Sequence, residues 1–335
     1  MKPKVSVIIP SYNKSDYIAE TFDSLIGQDY NGWEAIVVDD GSTDNSVKII
    51  QEYAKKDQRI RFYSRNREPK GGSVCRNIGI EKSFGYYIVF LDADDLLTPK
   101  ALKQRVDLME KNPEIDFLVF QIGQFFYKIG DCAKVTITKE DDNHLVKFLR
   151  CDLQWSIPSP IWKKSFLYHI GLFDEAFPRL QDVELHTRAL LEENVQYRVV
   201  TQVEIDCYYR IDPLRRVSDT LLRTETAIKG FELFSNNMYQ LVKTRLDNKK
   251  LINALKNVFY VAMYYVVKEN LTLANKIILI KKITDFKSFN IMMSKQDKIR
   301  FYYVAIKSII HISKRVNVLQ EIFSRKLMKI SGYNK

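Results

Sequence analysis

Tyr87-Ile88-Val89-Phe90-Leu91-Asp92-Ala93-Asp94-Asp95 is the stretch on which the reading of this chain turns. An apolar run long enough for a buried strand stops abruptly at three carboxylates. In an open α/β sheet, ligands bind outside the carboxyl ends of the strands. Clustered negative charge at such an edge is costly unless a cation shares it. The segment therefore predicts a strand that delivers Asp92 and Asp94 to a divalent metal. The plainer alternative is an acidic strand-to-helix turn with Asp95 as the helix cap.

Outward from this stretch, strand and helix signals alternate. Val5 to Ile9 is an apolar strand ended by Pro10, and Ser15 to Gln28 carries Ile18, Phe22, Leu25 and Ile26 at helical spacing. Trp33 to Val38 is a second strand, running into Asp39-Asp40-Gly41-Ser42, and a helix follows to Ala54. Ile60 to Ser64, a helix from Ser73 to Phe84 after Gly71-Gly72, a helix opened by Thr98-Pro99 and a strand from Asp116 to Gln121 continue the pattern. Such alternation predicts a mainly parallel sheet with flanking helices and right-handed crossovers. The turns after the first, second and fourth strands then share one edge. No GxGxxG or GxxxxGK[ST] follows the first strand, which argues against a dinucleotide fold and a P-loop.

The chain has 335 residues, 46% of them hydrophobic and 28% charged, which fits a folded protein of one large or two moderate domains. Cys75, Cys132, Cys151 and Cys207 form no CxxC, so a reducing compartment is expected, with neither a zinc site nor a disulfide frame. The apolar run after Met1-Lys2-Pro3-Lys4 is too short for a secretory signal, and a cytoplasmic location is expected. The longest later candidate, Val258 to Val267, is about half the length of a spanning helix and holds three tyrosines.

Charge divides the chain. From Thr220 to Lys335 there are 22 Lys and Arg against 7 Asp and Glu, a net of +15, while the front part, with 30 against 34, is at −4. The expected organisation is a catalytic domain over 1–219 and a basic helical region over 220–335. An acidic front part does not look like a nucleic-acid binder. The basic region has three readings: docking on anionic lipid at the inner face of the cell membrane, docking on a partner enzyme, or a helical lid with a homodimer surface.

Four segments in order carry a family resemblance: Val5-Ser6-Val7-Ile8-Ile9-Pro10-Ser11-Tyr12-Asn13, Val37-Val38-Asp39-Asp40-Gly41-Ser42-Thr43-Asp44, Arg76-Asn77-Ile78-Gly79, and Leu91-Asp92-Ala93-Asp94-Asp95. Together they resemble the inverting family 2 glycosyltransferases with a GT-A fold. The resemblance implies a Rossmann-like α/β domain that binds a nucleotide sugar, a UDP-sugar above all, with Mn²⁺ or Mg²⁺. Pro10 and Tyr12 would line the base pocket, Asp39 would accept a hydrogen bond from uracil with Asp40 beside it, and Arg76 would lie near the base or diphosphate. Asp94 would be the metal ligand, with Asp92 closer to the ribose. The acceptor would be a glycan or lipid-linked hydroxyl in cell-surface polysaccharide synthesis.

Inversion needs one carboxylate base within reach of that hydroxyl. Asp182 matches the family's base position and Glu184 is the second candidate, although Gln181 stands where relatives often carry Glu. Capping the following helix is the structural alternative for Asp182. A second departure is Tyr209-Arg210-Ile211-Asp212-Pro213-Leu214-Arg215-Arg216, where many relatives place His and serines. Arg210, Arg215 and Arg216 are bidentate phosphate donors on one reading and a basic surface loop on the other. Trp155 is an acceptor platform or a core residue. A binding module without turnover, on the same fold, is the competing function.

Overall fold

Val5–Ser11 (β1) and Trp33–Asp39 (β2) are apolar nearly throughout, because both faces of the sheet they build are covered. In this computed structural model, which describes residues 3–140, 142–211 and 220–312, they are adjacent inner strands of a seven-stranded sheet. The other strands are Ile60–Ser64 (β3), Tyr87–Phe90 (β4), Phe117–Phe120, Pro160–Lys163 and Tyr197–Val200. Counting short strands at Leu96–Leu97 (β5), Ile122–Phe125 (β7), Val135–Thr136 (β8) and Cys207–Arg210 (β11), those three are β6, β9 and β10. The large sheet runs β10-β6-β9-β4-β1-β2-β3. All its pairings are parallel except those of β9 with β4 and β6.

β9 was not legible as a strand. Its first residue is Pro160, in a segment that reads as a loop, and proline is tolerated there because the first residue of a strand can do without a ladder N–H. The second sheet, β5-β11-β7-β8, is made of strands of two to four residues, too short for a periodic signal. Gly123 on β7 leaves room for the Tyr208 ring of β11: a Cβ there would lie 2.4 Å from Cε1.

The helices that follow the first strands are Ile18–Ile26 (α1), Ser46–Lys56 (α2), Gly72–Lys82 (α3) and Ala101–Lys111 (α4). Ile18, Phe22 and Leu25 of α1 are fully buried against the sheet, as their spacing predicts, whereas Ile26 is 40% exposed. Each full burial of an aliphatic or aromatic side chain contributes about 1.5–3 kcal/mol. Trp155 is a core residue: it is 1% exposed and packs beside Phe117 and Tyr197.

Two units divide the chain, and neither is continuous. The first takes Met1–Asp142, Leu153–Ala176 and Arg188–Arg215, and the second takes Asn143–Asp152, Phe177–Thr187 and Arg216–Lys335. The later helices are His144–Leu149 (α5), Lys164–His169 (α6), Gln181–Leu191 (α7), Thr220–Val242 (α8), Asn248–Leu255 (α9), Asn257–Lys268 (α10), Leu273–Thr284 (α11), Lys287–Met292 (α12) and Lys295–Ile312 (α13). In the second unit Val258, Phe259, Ala262 and Val266 of α10 are fully buried, with Phe259, Phe289 and Phe301 meeting edge to face at 5.0 and 5.1 Å. Asn257 Nδ2 donates to the Arg150 carbonyl at 3.1 Å, tying α10 to the segment after α5. None of the helices among the described residues is long and apolar enough to cross a membrane.

His186 is fully buried in the second unit beside Phe148, and burial pulls its pKa down to about 3. The unfolded chain therefore binds a proton that the folded one refuses between about pH 6.5 and 3, and stability falls as pH drops through that window. We expect His186 to contribute a slope of up to about 1.4 kcal/mol per pH unit there. Denaturant titrations of His186→Phe at several pH values should show a flatter dependence than the parent, and an identical dependence would remove this residue from the account.

Candidate active site

The parallel pairing of β1 with β2 and β4 sets the site. Ser11 is level with Asp39, and Ile8 with Phe90, so the turn after β1, the Asp39-Asp40 turn and the Asp92-Ala93-Asp94-Asp95 turn emerge from one edge. Side chains then stitch the turns together. Asp40 N donates to the Ser11 carbonyl at 2.8 Å, Asn13 N to Ser42 Oγ at 2.9 Å, and Thr43 N to Asn13 Oδ1 at 2.8 Å. Asn13 has φ of +50°, a left-handed conformation that asparagine adopts more readily than most residues. Lys14 N donates to Ser46 Oγ at 2.7 Å, and Lys14 Nζ pairs with Asp94 Oδ2. One residue thus links the first turn to the start of α2 and to the acidic turn.

Asp39 is 3% exposed and accepts Gly41 N at 2.9 Å, Ser42 N at 2.8 Å and Ser42 Oγ at 2.5 Å. It builds its own turn, with Gly41 at φ +86°, and a carboxylate has about four acceptor positions, so one more partner can be taken. Asp40 accepts Arg65 Nε at 2.6 Å and Gly71 N at 3.3 Å, which fixes the entry to α3. Pro10 ends the buried run of β1, Tyr12 is 44% exposed, and Lys70 Nζ lies 3.6 Å from the Tyr12 ring centre.

α3 shows what the Arg76-Asn77-Ile78-Gly79 segment does. Arg76 is 7% exposed, not a surface residue, and its Nη2 meets Asp92 Oδ1 at 2.6 Å. Asn77 Nδ2 donates to the Phe173 carbonyl at 3.0 Å and to Glu175 Oε1 at 2.9 Å, while its Oδ1 accepts Phe173 N at 3.0 Å. Ile78 is core. Gly79 lets the helix touch β1, since a Cβ would lie 2.3 Å from Ile8 Cγ2.

Behind the acidic turn sits Arg210, expected as a phosphate donor. Its Nε donates to the Asp94 carbonyl at 2.9 Å, Nη2 to Glu20 Oε2 at 2.6 Å and Nη1 to the Phe126 carbonyl at 3.4 Å, and the backbone N donates to Asp95 Oδ1 at 3.0 Å. The guanidinium is 4.7 and 4.4 Å from the Tyr17 and Phe125 ring centres. It holds the turn in place from behind. Arg215 and Arg216 lie outside the described residues.

Among the described residues, no group of three or more His, Cys, Asp or Glu forms a ready-made metal cluster. The chemistry of the turn nonetheless suits a hard cation. The Asp92 and Asp94 side chains keep 33% and 20% of their surface open. Asp95 behind them is buried, and burial, then the charges of Asp92 and Asp94, push its pKa well above the usual carboxylate value. The turn is short of positive charge, which Lys14 and Arg76 supply here. Mg²⁺ or Mn²⁺ bound through one or two carboxylates, with water and phosphate completing the shell, fits this donor set.

Asp182 and Glu184 open α7, in the second unit. Asp182 is half-buried, and its Oδ1 accepts Val183 N at 2.9 Å, a bond to its own neighbour inside the first turn. It is not the residue preceding the helix. Glu184 is 3% exposed. Lys14, Glu20, Arg65 and Lys70 were missed as site residues. Only Lys14, next to Asn13 in the first turn, carried a positional hint.

Comparison with known proteins gives this geometry its family. Residues 6–162 match the model for glycosyl transferase family 2. An uncharacterized glycosyltransferase of Methanocaldococcus jannaschii is 30% identical over 267 residues, 79% of this chain and 86% of that protein. The chain belongs to glycosyl transferase family 2 and has the GT-A fold. A Bacillus subtilis protein named as a teichuronic acid biosynthesis glycosyltransferase, TuaG, is 40% identical over 122 residues, 36% of this chain and 48% of TuaG, so the match spans under half of that relative. The solved structure of S. aureus TarS residues 1–349 with UDP-GlcNAc superposes with a TM-score of 0.65 at 20% identity, covering 92% of this chain and 88% of that one. A mannosyltransferase from Pyrobaculum calidifontis, with GDP-Man and Mn²⁺, superposes at 0.51 and 18% identity over 94% and 89% of the two chains.

Proposed function

We propose that this protein transfers a hexosyl or N-acetylhexosaminyl group, with inversion, from a UDP-sugar to a hydroxyl of a glycan or lipid-linked acceptor in cell-surface polysaccharide synthesis. The observation that carries this is the gathering of the Asp39-Asp40 turn and the Asp92-Asp94 turn at one sheet edge, beside the turn after β1 whose Lys14 pairs with Asp94. The donors named for the TarS and Pyrobaculum structures support a nucleotide sugar in this fold.

The base would lie against Pro10 and Tyr12, with uracil donating its N–H to the open position on Asp39. Asp94 and Asp92 would hold Mn²⁺ or Mg²⁺, which when bound neutralises the diphosphate leaving group. Arg76 orients Asp92, Arg210 holds the acidic turn, and Lys14 is the cation best placed to follow the phosphate charge. Asp182, or Glu184 in its stead, would take the acceptor proton. A binding module without turnover is favoured by the altered arginine loop after Tyr209-Arg210 and by Gln181, whose amide Nε2 bonds the Phe177 carbonyl at 3.2 Å and offers no carboxylate.

Thermal denaturation against a panel of nucleotide sugars, with and without Mn²⁺, tests the donor. A ligand at a hundred times its Kd stabilises by about 2.7 kcal/mol, so one UDP-sugar should raise Tm and do so only with metal. A flat response across the panel would overturn the reading. Lys14 gives a second test. An ion pair this open contributes up to about 1 kcal/mol, so Lys14→Met should tighten Mn²⁺ binding to the donor-free protein by about fivefold, read by manganese EPR. UDP affinity should weaken in the same variant, and unchanged affinities for both would release Lys14 from the site.

A further inference from the structure

α13 has two apolar faces. Phe301, Val304 and Ala305 turn inward at 0, 6 and 3% exposure, with Phe301 edge-on to Tyr260 at 5.5 Å. Ile299, Tyr302, Tyr303 and Ile306 turn outward at 62, 47, 64 and 57% exposure. Their spacing is i, i+3, i+4, i+7, a continuous outer stripe on a helix whose core side is already packed. The exposed charges on α13 are all positive: Lys295, Arg300 and Lys307. Its single acid, Asp297, is taken up by Lys256 at 2.9 Å and by Ser294.

We propose that this outer face of α13 lies on an anionic lipid surface. Charge selects the occupant. A second copy docking through the same stripe would bring Lys295, Arg300 and Lys307 against their equivalents, since a two-fold contact meets itself. The chain from 313 to 335 is itself basic, with six Lys and Arg against Glu321 alone, and is a poor counterpart to the same charges. Anionic headgroups supply the missing sign. Tyrosine and isoleucine suit the boundary between headgroups and acyl chains, and lysine stems reach from it toward water, as Lys307 does with its Nζ 5.8 Å from the Tyr303 ring centre. The inference stands on the second unit alone and does not depend on which sugar the first unit handles.

Flotation of the full chain with phosphatidylcholine vesicles, alone or with about one third phosphatidylglycerol, tests it at low and high salt. We expect binding only to the anionic vesicles, lost as salt rises. Ile299→Ser with Ile306→Ser should weaken it about tenfold. Lys295→Glu with Arg300→Glu and Lys307→Glu should weaken it about a hundredfold. These side chains are exposed, so Tm should hold in both, and if the isoleucine variant loses stability the charge variant decides. No flotation at low salt, equal flotation with phosphatidylcholine alone, or indifference to the charge variant would overturn the proposal. So would a dimer, seen by sedimentation, that the isoleucine variant disperses, because the stripe would then be a self-association face.

Discussion

Asp182→Asn is expected to cut sugar transfer by about a thousandfold while leaving UDP affinity and Tm at parental values. A positioned general base contributes about 10²–10⁴ in rate, and an amide cannot take the acceptor proton. The substitution is close to isosteric. The side-chain oxygen of Asn can still accept Val183 N–H, the bond Asp182 makes at 2.9 Å, so the first turn of α7 keeps its local geometry. Initial rates with the donor found by thermal shift, beside UDP titration, separate chemistry from binding. Retention of most of the rate by Asp182→Asn, with collapse in Glu184→Gln, would move the base to Glu184. Indifference to both would place the base elsewhere, and UDP binding with no transfer by the parent would favour a binding module.

The second large effect is on stability. Arg105 and Asp206 are 0 and 1% exposed and meet through two parallel bonds, Nε to Oδ2 at 2.8 Å and Nη2 to Oδ1 at 2.6 Å. Arg105 Nη1 also donates to the Pro158 carbonyl at 2.8 Å, and Gln104 Nε2 donates to Asp206 Oδ2 at 2.8 Å. Burial, the largest single influence, would drive the guanidinium toward its neutral form, but the charge and hydrogen bonds of Asp206, with Cys207 beside it, together outweigh it and the pKa is raised. Removing one partner strands the other charge in the core at a cost of about 3–5 kcal/mol. Asp206→Ala should therefore lower Tm by roughly 5–10 °C. Replacing both, as Arg105→Met with Asp206→Leu, should recover much of that loss, because two well-packed apolar side chains carry no uncompensated charge. Asp206 immediately precedes β11, whose last residue is Arg210, so the single variant should also loosen the acidic turn and weaken UDP binding. A single variant within about 1 kcal/mol of the parent would refute the argument.

The legible parts of this protein were the ones whose physics is local. β1, β2 and β4 are apolar nearly throughout because both faces are covered, and each apolar run stops at a proline or an aspartate. β3 has the bounds its sequence predicts, and α3 came from Gly71-Gly72 and the helical run behind it. β9 escaped because a four-residue strand opened by Pro160 owes its existence to β4 and β6, far away along the chain. The two units escaped as well. The charge change at Thr220 marks where the helical run begins, but Asn143–Asp152 and Phe177–Thr187 cluster with that region without sharing its basic composition. Trp155 illustrates the same limit from the other side: a tryptophan beside two prolines reads equally well as a sugar platform, and only packing against Phe117 and Tyr197 places it in the core.

What the amino-acid order settled unaided was the alternation of strand and helix, the shared edge of the acidic turns, and the family. The first two follow from apolar runs that must be buried and from parallel strands whose ends must coincide, and the third from the resemblance carried by four ordered segments. The partners of the charges were a tertiary decision. Lys14 on Asp94, Arg76 on Asp92, Arg65 on Asp40 and Arg210 behind the acidic turn are pairings across 16 to 116 residues of chain. A carboxylate withdrawn from water needs a donor within about 3 Å, and nothing in a linear sequence says which of 52 basic residues the fold will bring that close.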